Sequence, residues 1–153
     1  MASEQSGLAT LASMSGLQIM EAVRDGTLPR APIGEIANMH GMEVSFGRVV
    51  FEGTPERRHY NPMGAVHGGW FGIMLDSAMG CAVMSALPAG QVYTTLEYKV
   101  NILRAATADT GVLRAIGQTI HVGRRTATAE ARLENADGKL FATGTTTCLI
   151  MSA

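Results

Sequence analysis

The most distinctive pattern in this chain is an apolar run from Gly69 to about Leu87 that has no polar face. A helix that is apolar on nearly all sides must be buried on most of them. Pro88 and Gly90 follow the run and end it. Glycine, small polar residues and Asp76 interrupt its apolar character, so the run predicts a central core helix rather than a membrane span.

Before this run, shorter patterns predict two small helices and one strand region. Apolar residues at helical spacing predict the helices, and Gly or Pro ends each of them. β-Branched and aromatic residues predict the strands. In chain order we predict a helix through Leu17, Met20 and Val23 that ends near Gly26, a helix from Pro32 through Ile33, Ile36 and Met39, strand from Met42 to Thr54 with a turn or bulge at Gly47, and a loop from Arg57 to Gly64.

After the central run, apolar and polar residues alternate with the period of a strand. The alternation is strict from Thr94 to Ile102 and recurs at 126–133, and the stretches 112–122 and 140–151 are also predicted as strands. Turns are predicted at 123–124 and 135–138. We therefore predict a four-strand meander after the helix, in an α+β domain whose antiparallel sheet wraps around one long helix. Alanine and glycine on the strands would let the sheet come close to the helix. We place an N-terminal helical extension at 1–40 and the domain at 41–153.

Composition narrows the class of protein without naming a function. The chain has 46% hydrophobic residues, enough for a core, and a net charge of −1 without a basic block, which excludes an extended nucleic-acid interface. Cys81 and Cys148 both lie in apolar runs and are expected to be buried thiols, and no Cys or His spacing predicts a metal site. The N-terminus lacks the pattern of a signal peptide, so we expect a cytoplasmic protein that does not bind membranes.

The chemistry is concentrated between Asn61 and Asp76. An Asp inside so apolar a run is costly unless its carboxylate has a partner or a function, and bonding to backbone or to Ser77 is the structural alternative. Gly68 and Gly69 at the helix start expose backbone N–H groups where the helix dipole is positive. Such donors can hold a thioester oxygen as it becomes an oxyanion, although a simple tight turn is the alternative.

Spacing along the helix decides how these groups can cooperate. Asp76 follows Gly68 by eight residues, so at about 1.5 Å per residue they lie roughly 12 Å apart along the axis. One carboxylate cannot cross that gap to a carbonyl held at its own helix start. If both act on one carbonyl, they come from different subunits, and two antiparallel helices about a two-fold axis supply the arrangement.

The pattern Asn-Pro-x-Gly-x-x-His-Gly-Gly from Asn61, with an acidic residue nine positions after the histidine, resembles the hotdog-fold thioesterases. It is most similar to the phenylacetate-pathway type within the 4-hydroxybenzoyl-CoA thioesterase superfamily, and the resemblance covers about residues 40–151. It implies a hotdog fold and a homodimer with shared active sites, assembled further as a dimer of dimers.

The resemblance also implies a role for each residue of the motif. Asp76 corresponds to the catalytic acid, acting as nucleophile or as general base for water, and Gly68 to the backbone donor that polarises the carbonyl. His67 would orient the loop or contact the thioester, and Asn61 would position water or the acid of the opposite subunit. Ser77 follows the acid, where one branch carries an assisting hydroxyl.

Two further expectations concern a departure from the pattern and the coenzyme. Some relatives carry a hydroxyl residue one turn after the acid, where this chain has Gly80. The CoA phosphates would be bound by Arg124 and Arg125, with Lys99 and Arg104 as weaker candidates, and ordinary solvated surface charges are the alternative reading.

Four residues beside the motif have two interpretations. His59, Tyr60, Trp70 and Phe71 could line the acyl pocket, but we interpret them as packing residues, and His40 and His121 as structural.

We expect an acyl-CoA thioesterase that converts an aryl- or acyl-CoA into free acid and CoA, with no cofactor apart from the CoA of its substrate. The alternatives are a hotdog enoyl-CoA hydratase or dehydratase, in which His67 and Asp76 would converge on one carbon, and a non-catalytic acyl-CoA-binding module.

Overall fold

A computed structural model of the protein describes residues 13–153. The first twelve residues of the predicted N-terminal extension lie outside the described residues. In chain order the elements are α1 (Gly16–Arg24), α2 (Ile33–Ile36), β1 (Met39–Ser45), β2 (Arg48–Gly53), a 3₁₀ turn (Arg57–His59), α3 (Gly68–Ser85), β3 (Gln91–Ile102), a second 3₁₀ turn (Ala108–Thr110), β4 (Leu113–Val122), β5 (Thr126–Glu134) and β6 (Leu140–Ser152).

The six strands form one antiparallel sheet in the order β1-β2-β4-β5-β6-β3. Helix α3 packs against β2, β3, β4, β5 and β6, so the sheet wraps around it. This confirms the predicted α+β hotdog fold. None of the helices within residues 13–153 is long and apolar enough to cross a membrane.

The order of the strands corrects the predicted four-strand meander. Only β4, β5 and β6 follow one another in space, whereas β3 pairs with β6 and forms an edge of the sheet. Alternation along a strand determines which face each side chain takes, but it contains no information about the neighbouring strand. Here β2 pairs with β4 and takes the place that a meander would give to β3.

The second predicted helix is also shorter than expected. It ends at Ile36, and Met39 already belongs to β1. Asn38 takes a left-handed backbone conformation with φ of 53°, and its side-chain amide donates to the Thr54 carbonyl. That hydrogen bond fixes the chain reversal between α2 and β1, which helical spacing alone does not reveal.

Small residues let the strands approach α3 closely. A Cβ atom on Gly117 of β4 would overlap the backbone carbonyl of Ala78 in α3. Gly144 of β6 has no such overlap, but a Cβ atom there would lie 3.3 Å from the Met79 side chain. The predicted use of glycine on the strands is therefore confirmed at the places where sheet and helix meet.

One side of α3 has no covering element within residues 13–153. After the first turn, only Ile73, Asp76, Ser77 and Cys81 keep partial exposure, and they lie on one side of the helix at spacings of three, four and eight residues. We call these four residues the open stripe. Strand β3 runs beside this stripe, and it carries the exposed apolar side chains Leu96, Tyr98 and Ile102.

The tight contact between Gly117 and α3 can be tested by adding one methyl group. We expect Gly117→Ala to lower the free energy of unfolding by about 2 kcal/mol or more, because the overlapping atoms are backbone and cannot move aside cheaply. Gly34→Ala is the matched control, since the nearest atom to a Cβ there is 3.8 Å away and alanine favours helix. Chemical denaturation measures both, and equal stabilities of the two variants would contradict the packing described.

Candidate functional site

The start of α3 carries a backbone donor that no other group of the described residues uses. His67 is the N-cap, with extended φ and ψ of −63° and 140°, and its Nδ1 accepts the Gly69 N–H at 2.8 Å. The Trp70 N–H donates to the His67 carbonyl at 3.0 Å. The Gly68 N–H donates to no group within residues 13–153, and it points from the positive end of an 18-residue helix.

The imidazole of His67 therefore has one defined role in the protomer. Because Nδ1 accepts a hydrogen bond, the neutral ring carries its proton on Nε2. Nε2 has no partner in the described part of the chain, and the residue is exposed. His67 therefore caps the start of α3, while the roles in loop orientation and thioester contact that the resemblance implies stay predictions.

A short turn leads into this helix start, and Asn61 builds it. Its Oδ1 accepts the N–H groups of Met63 at 2.9 Å and Ala65 at 3.3 Å, and its own N–H donates to the Ala65 carbonyl at 2.8 Å. Gly64 supplies the left-handed backbone of the turn, with φ of 83°. The Asn61 amide nitrogen has no partner within the described residues, and its predicted role towards the opposite subunit stays a prediction.

Asp76 lies on the open stripe and is held from β3. The Thr95 hydroxyl donates to Asp76 Oδ1 at 3.0 Å. Within the described residues Asp76 bonds neither to backbone nor to Ser77, which was the structural alternative, because Thr95 provides its hydrogen bond. Oδ2 accepts no hydrogen bond within residues 13–153, and Asp76 and the adjacent Ser77 are both partly exposed.

Sequence reasoning missed Thr95 because β3 contains a β-bulge. The register with β6 shifts between Thr95 and Glu97, so Leu96 is an extra residue. Before the bulge Tyr93 and Thr95 face α3, and after it Tyr98 faces α3. The strict alternation predicted through this segment is therefore wrong, and nothing in the pattern of apolar residues announces the extra residue.

Glycines at four-residue spacing let β3 lie close along α3. A Cβ atom on Gly68 would come within 3.2 Å of Ile102, one on Gly72 within 3.1 Å of the Tyr98 hydroxyl, and one on Gly80 within 2.7 Å of the Tyr93 ring. Asp76 occupies the remaining position of this series, opposite Thr95. The absence of a hydroxyl residue at position 80 now has a physical reason, since the Tyr93 ring fills that space.

The two cysteines are poor nucleophiles in this environment. Burial, with a smaller contribution from the charge of Asp76, raises the pKa of Cys81 to about 12, although a hydrogen bond from Tyr93 opposes the shift. Burial also raises the pKa of Tyr93 well above its ordinary value, and raises that of Cys148. Cys148 is buried as predicted, whereas Cys81 is partly exposed on the open stripe. Both thiols stay protonated at neutral pH.

The four cations predicted for CoA do not form one cluster in the protomer. Arg124 and Arg125 are exposed in the turn between β4 and β5. Thr95 of β3 pairs with Cys148 of β6, which pairs with Ala127 of β5. The turn therefore lies level with Thr95 along the strands, but two strand spacings, or about 10 Å, away across the sheet. Lys99 and Arg104 are exposed further along the chain, towards the start of α3. None of the four forms an ion pair within residues 13–153.

A cleft of about 500 Å³ opens beside the start of α3. Its walls come from α2, the first 3₁₀ turn and the first two turns of α3: Ile36, Ala37, Arg58, His59, Tyr60, His67, Gly69, Trp70 and Ile73. Phe71 instead packs in the core, with 1% exposure. Trp70 lines the cleft but is also part of the core, with 3% exposure, in keeping with the packing interpretation.

The other two histidines differ from each other. His40 Nε2 shares a hydrogen bond with the Thr54 hydroxyl at 2.9 Å, in keeping with a structural role, and His121 is exposed on β4.

The six-stranded sheet wrapped around one long helix is the fold of the hotdog thioesterases. Residues 63–142 match the family model described as Thioesterase superfamily. The chain belongs to that superfamily.

Individual relatives agree with this assignment. PA1618 of Pseudomonas aeruginosa, which is named an esterase, is 32% identical over 85 residues, a match that spans 55% of this chain and 57% of that protein. A solved structure of a phenylacetic acid degradation-related protein from Ralstonia eutropha is 28% identical, with a TM-score of 0.76 over 85% of this chain and 98% of that one. The PaaI protein of Escherichia coli, at 18% identity, shares the fold, with a TM-score of 0.77 over 91% of this chain and 98% of its own.

The hydrogen bond between Thr95 and Asp76 leads to a kinetic prediction. Thr95→Val keeps the shape of the side chain and removes the donor, so we expect kcat for thioester hydrolysis to fall about ten- to a hundredfold as the carboxylate loses its fixed position. Thr94→Val, on the exposed neighbouring position, is the control and should keep its kcat. Steady-state kinetics with thiol detection measure both, and an unchanged kcat in Thr95→Val would remove Thr95 from the site.

Proposed function

We propose that this chain hydrolyses an aryl- or acyl-CoA thioester to the free acid and CoA, at a site shared between two protomers. One observation carries the proposal. A single rigid helix exposes an unused amide at its start and a carboxylate on its open stripe, separated by about 12 Å along the axis. Neither group alone can both polarise a carbonyl and deliver water to it.

A two-fold axis brings these groups together. If Gly68 of one protomer faces Asp76 of the other, the axis passes beside Gly72, midway between them, and beside Tyr98, which lies against Gly72. Strand β3 is the edge of the sheet at that place and carries exposed Leu96 and Ile102. Antiparallel pairing of β3 with its copy would cover these apolar side chains and satisfy the backbone groups of the edge.

The chemistry then follows from the donors present. The Gly68 N–H holds the thioester oxygen as charge develops on it, and Asp76 of the other protomer acts on the carbonyl carbon, either by taking a proton from water or by direct attack. Thr95 holds Oδ1 and leaves Oδ2 for the reaction. When water is the nucleophile, its oxygen bonds to the carbonyl carbon, the C–S bond breaks, and the proton taken by Asp76 passes to the CoA sulfur. When Asp76 attacks directly, the C–S bond breaks as an acyl-Asp76 anhydride forms; water then hydrolyses the anhydride, and one of its protons passes through Asp76 to the CoA thiolate. Either route releases the free acid and CoA.

The remaining predicted residues act around this centre. Asn61 of the opposite protomer and Ser77 would position the water. Arg124 and Arg125 lie level with Thr95, which holds Asp76, and would bind the CoA phosphates, with Lys99 of β3 and Arg104, just after β3, contributing. Two such dimers would form the dimer of dimers.

Removing the Gly68 donor tests the oxyanion role directly. Gly68→Pro deletes the N–H at the first position of a helix, where proline is well tolerated, and His67 already has the extended backbone that a following proline requires. We expect kcat to fall about 10²- to 10³-fold. Gly68→Ala keeps the N–H, meets only the flexible end of Ile102, and should stay close to wild type; comparable loss in both variants would argue against a backbone donor.

Mixed dimers test whether the site is shared. Asp76→Ala should abolish turnover and Asp76→Asn nearly so, with the fold retained. Co-expression of Asp76→Asn and Gly68→Pro chains with two different tags gives a heterodimer in which one of the two sites has both groups intact. We expect the purified heterodimer to recover about half of the wild-type activity per dimer. No recovery would place Gly68 and Asp76 of one chain in the same site.

The same acyl-CoA assays separate the rival functions. A hydratase would need a histidine and a carboxylate on one carbon, and His67 could offer only Nε2 for this, since its Nδ1 accepts the Gly69 N–H. Hydration of an enoyl-CoA without release of thiol would support the hydratase, and CoA binding without any turnover would support a binding module.

A further inference from the structure

Strand β3 changes its inward face at one residue, and the position of Asp76 depends on that change. Thr95 faces α3 and holds Asp76, and Tyr98, three positions later, also faces α3. Strict alternation would turn one of these two side chains away, so the extra residue Leu96 is what allows both. A bulge also disrupts the hydrogen-bond ladder locally, so its geometry needs a further restraint.

A side chain of β6 supplies that restraint. The Thr146 hydroxyl donates to the Glu97 carbonyl at 2.7 Å, directly after the extra residue. Among residues 13–153 the buried polar side chains are Ser85 and Thr146, and Thr146 is only 3% exposed. Burying a hydroxyl costs free energy unless it is hydrogen-bonded, and the bond to the Glu97 carbonyl offsets that cost at the bulge itself.

Thr146 also lies beside the residue that pairs with Thr95. Cys148 is opposite Thr95 across β3 and β6, and it follows Thr146 by two positions on the same face of β6. Burial raises the pKa of Cys148, and hydrogen bonds with the Thr146 and Thr95 hydroxyls oppose the shift. The two hydroxyl hydrogens are directed to the Glu97 carbonyl and to Asp76. The protonated thiol therefore lies between two hydroxyl oxygens and connects the bulge with Thr95.

We infer that Thr146 is a positioning residue for the hydrolysis, because its hydroxyl fixes the bulge and thereby keeps Thr95 directed at Asp76. This inference rests on the proposed function. Thr146 makes no hydrogen bond to Asp76 within the described residues, so it acts through the backbone of β3. Loss of its hydroxyl would take this donor from the Glu97 carbonyl and let the segment around Leu96 shift. The Thr95 hydroxyl would then hold Asp76 Oδ1 for less of the time.

Removing the hydroxyl alone tests the inference. Thr146→Val keeps the shape of the side chain, and we expect kcat for acyl-CoA hydrolysis, measured by thiol release, to fall about five- to twentyfold with KM within about twofold of wild type. Thr146→Ser keeps a hydroxyl and should recover most of the kcat. Thr145→Val, at the neighbouring exposed position of β6, is the matched control and should keep the wild-type kcat.

The double variant Thr95→Val/Thr146→Val separates positioning from a general loss of stability. If Thr146 acts through Thr95, the double variant should have the kcat of Thr95→Val to within about twofold, because the hydrogen bond to Asp76 is already absent. Independent effects would multiply instead. Multiplied effects, or a wild-type kcat in Thr146→Val, would overturn the inference.

A second variant, Thr146→Ala, removes the same hydroxyl and takes the place of Thr146→Val if that chain does not fold. It should show the same dependence on Thr95. If the wild type hydrolyses acyl-CoA while the Thr146 variants behave independently of Thr95, the positioning role fails and the hydrolysis itself stands. If the wild type releases thiol from no acyl-CoA, the proposed function fails, and this inference fails with it.

Discussion

The structure depends on two opposing requirements within α3, burial of its apolar body and hydrogen bonding for the N–H groups of its first turn. The helix is apolar on nearly all sides and must be surrounded, so the sheet wraps around it and leaves only the open stripe. Its first turn, however, cannot satisfy its own N–H groups by helical hydrogen bonds. His67 Nδ1 satisfies one of these donors by accepting the Gly69 N–H, whereas the Gly68 N–H has no acceptor within the described residues. The same helix is therefore buried along its body and exposed at its start.

Strand β3 is where packing and chemistry meet. Its close course along α3 requires glycine at positions 68, 72 and 80, and the bulge at Leu96 changes which side chains face the helix. Without the extra residue, either Tyr93 and Thr95 or the residues after the bulge would face away from α3. The bulge allows one strand to supply both the hydrogen bond to Asp76 and the ring that fills the space beside Gly80.

Much of this fold could be predicted from the sequence, for physical reasons that also explain the failures. The long apolar run predicted α3 almost to its ends, and Gly47 predicted the turn between β1 and β2. Both signals are local in sequence. The edge position of β3 and the bulge depend on pairing with β6, which lies far along the chain and leaves no trace in local alternation. The residues of the site motif are contiguous and could be chosen from sequence, whereas Thr95 could not. Three residues of the cleft, His59, Tyr60 and Trp70, were candidates from sequence, whereas its other wall at Ile36 and Ala37 was not, because α2 and α3 meet only in the folded chain.

The free edge of β3 affects how the chain behaves before folding is complete. A strand of twelve residues with exposed Leu96, Tyr98 and Ile102 is a template on which any extended segment can grow, including β3 of an incompletely folded copy. Lys99 and Glu97, both exposed on this strand, place charges between the apolar residues, and the bulge disturbs the flatness that uncontrolled stacking requires. These features act as gatekeepers against aggregation while the edge is still uncovered.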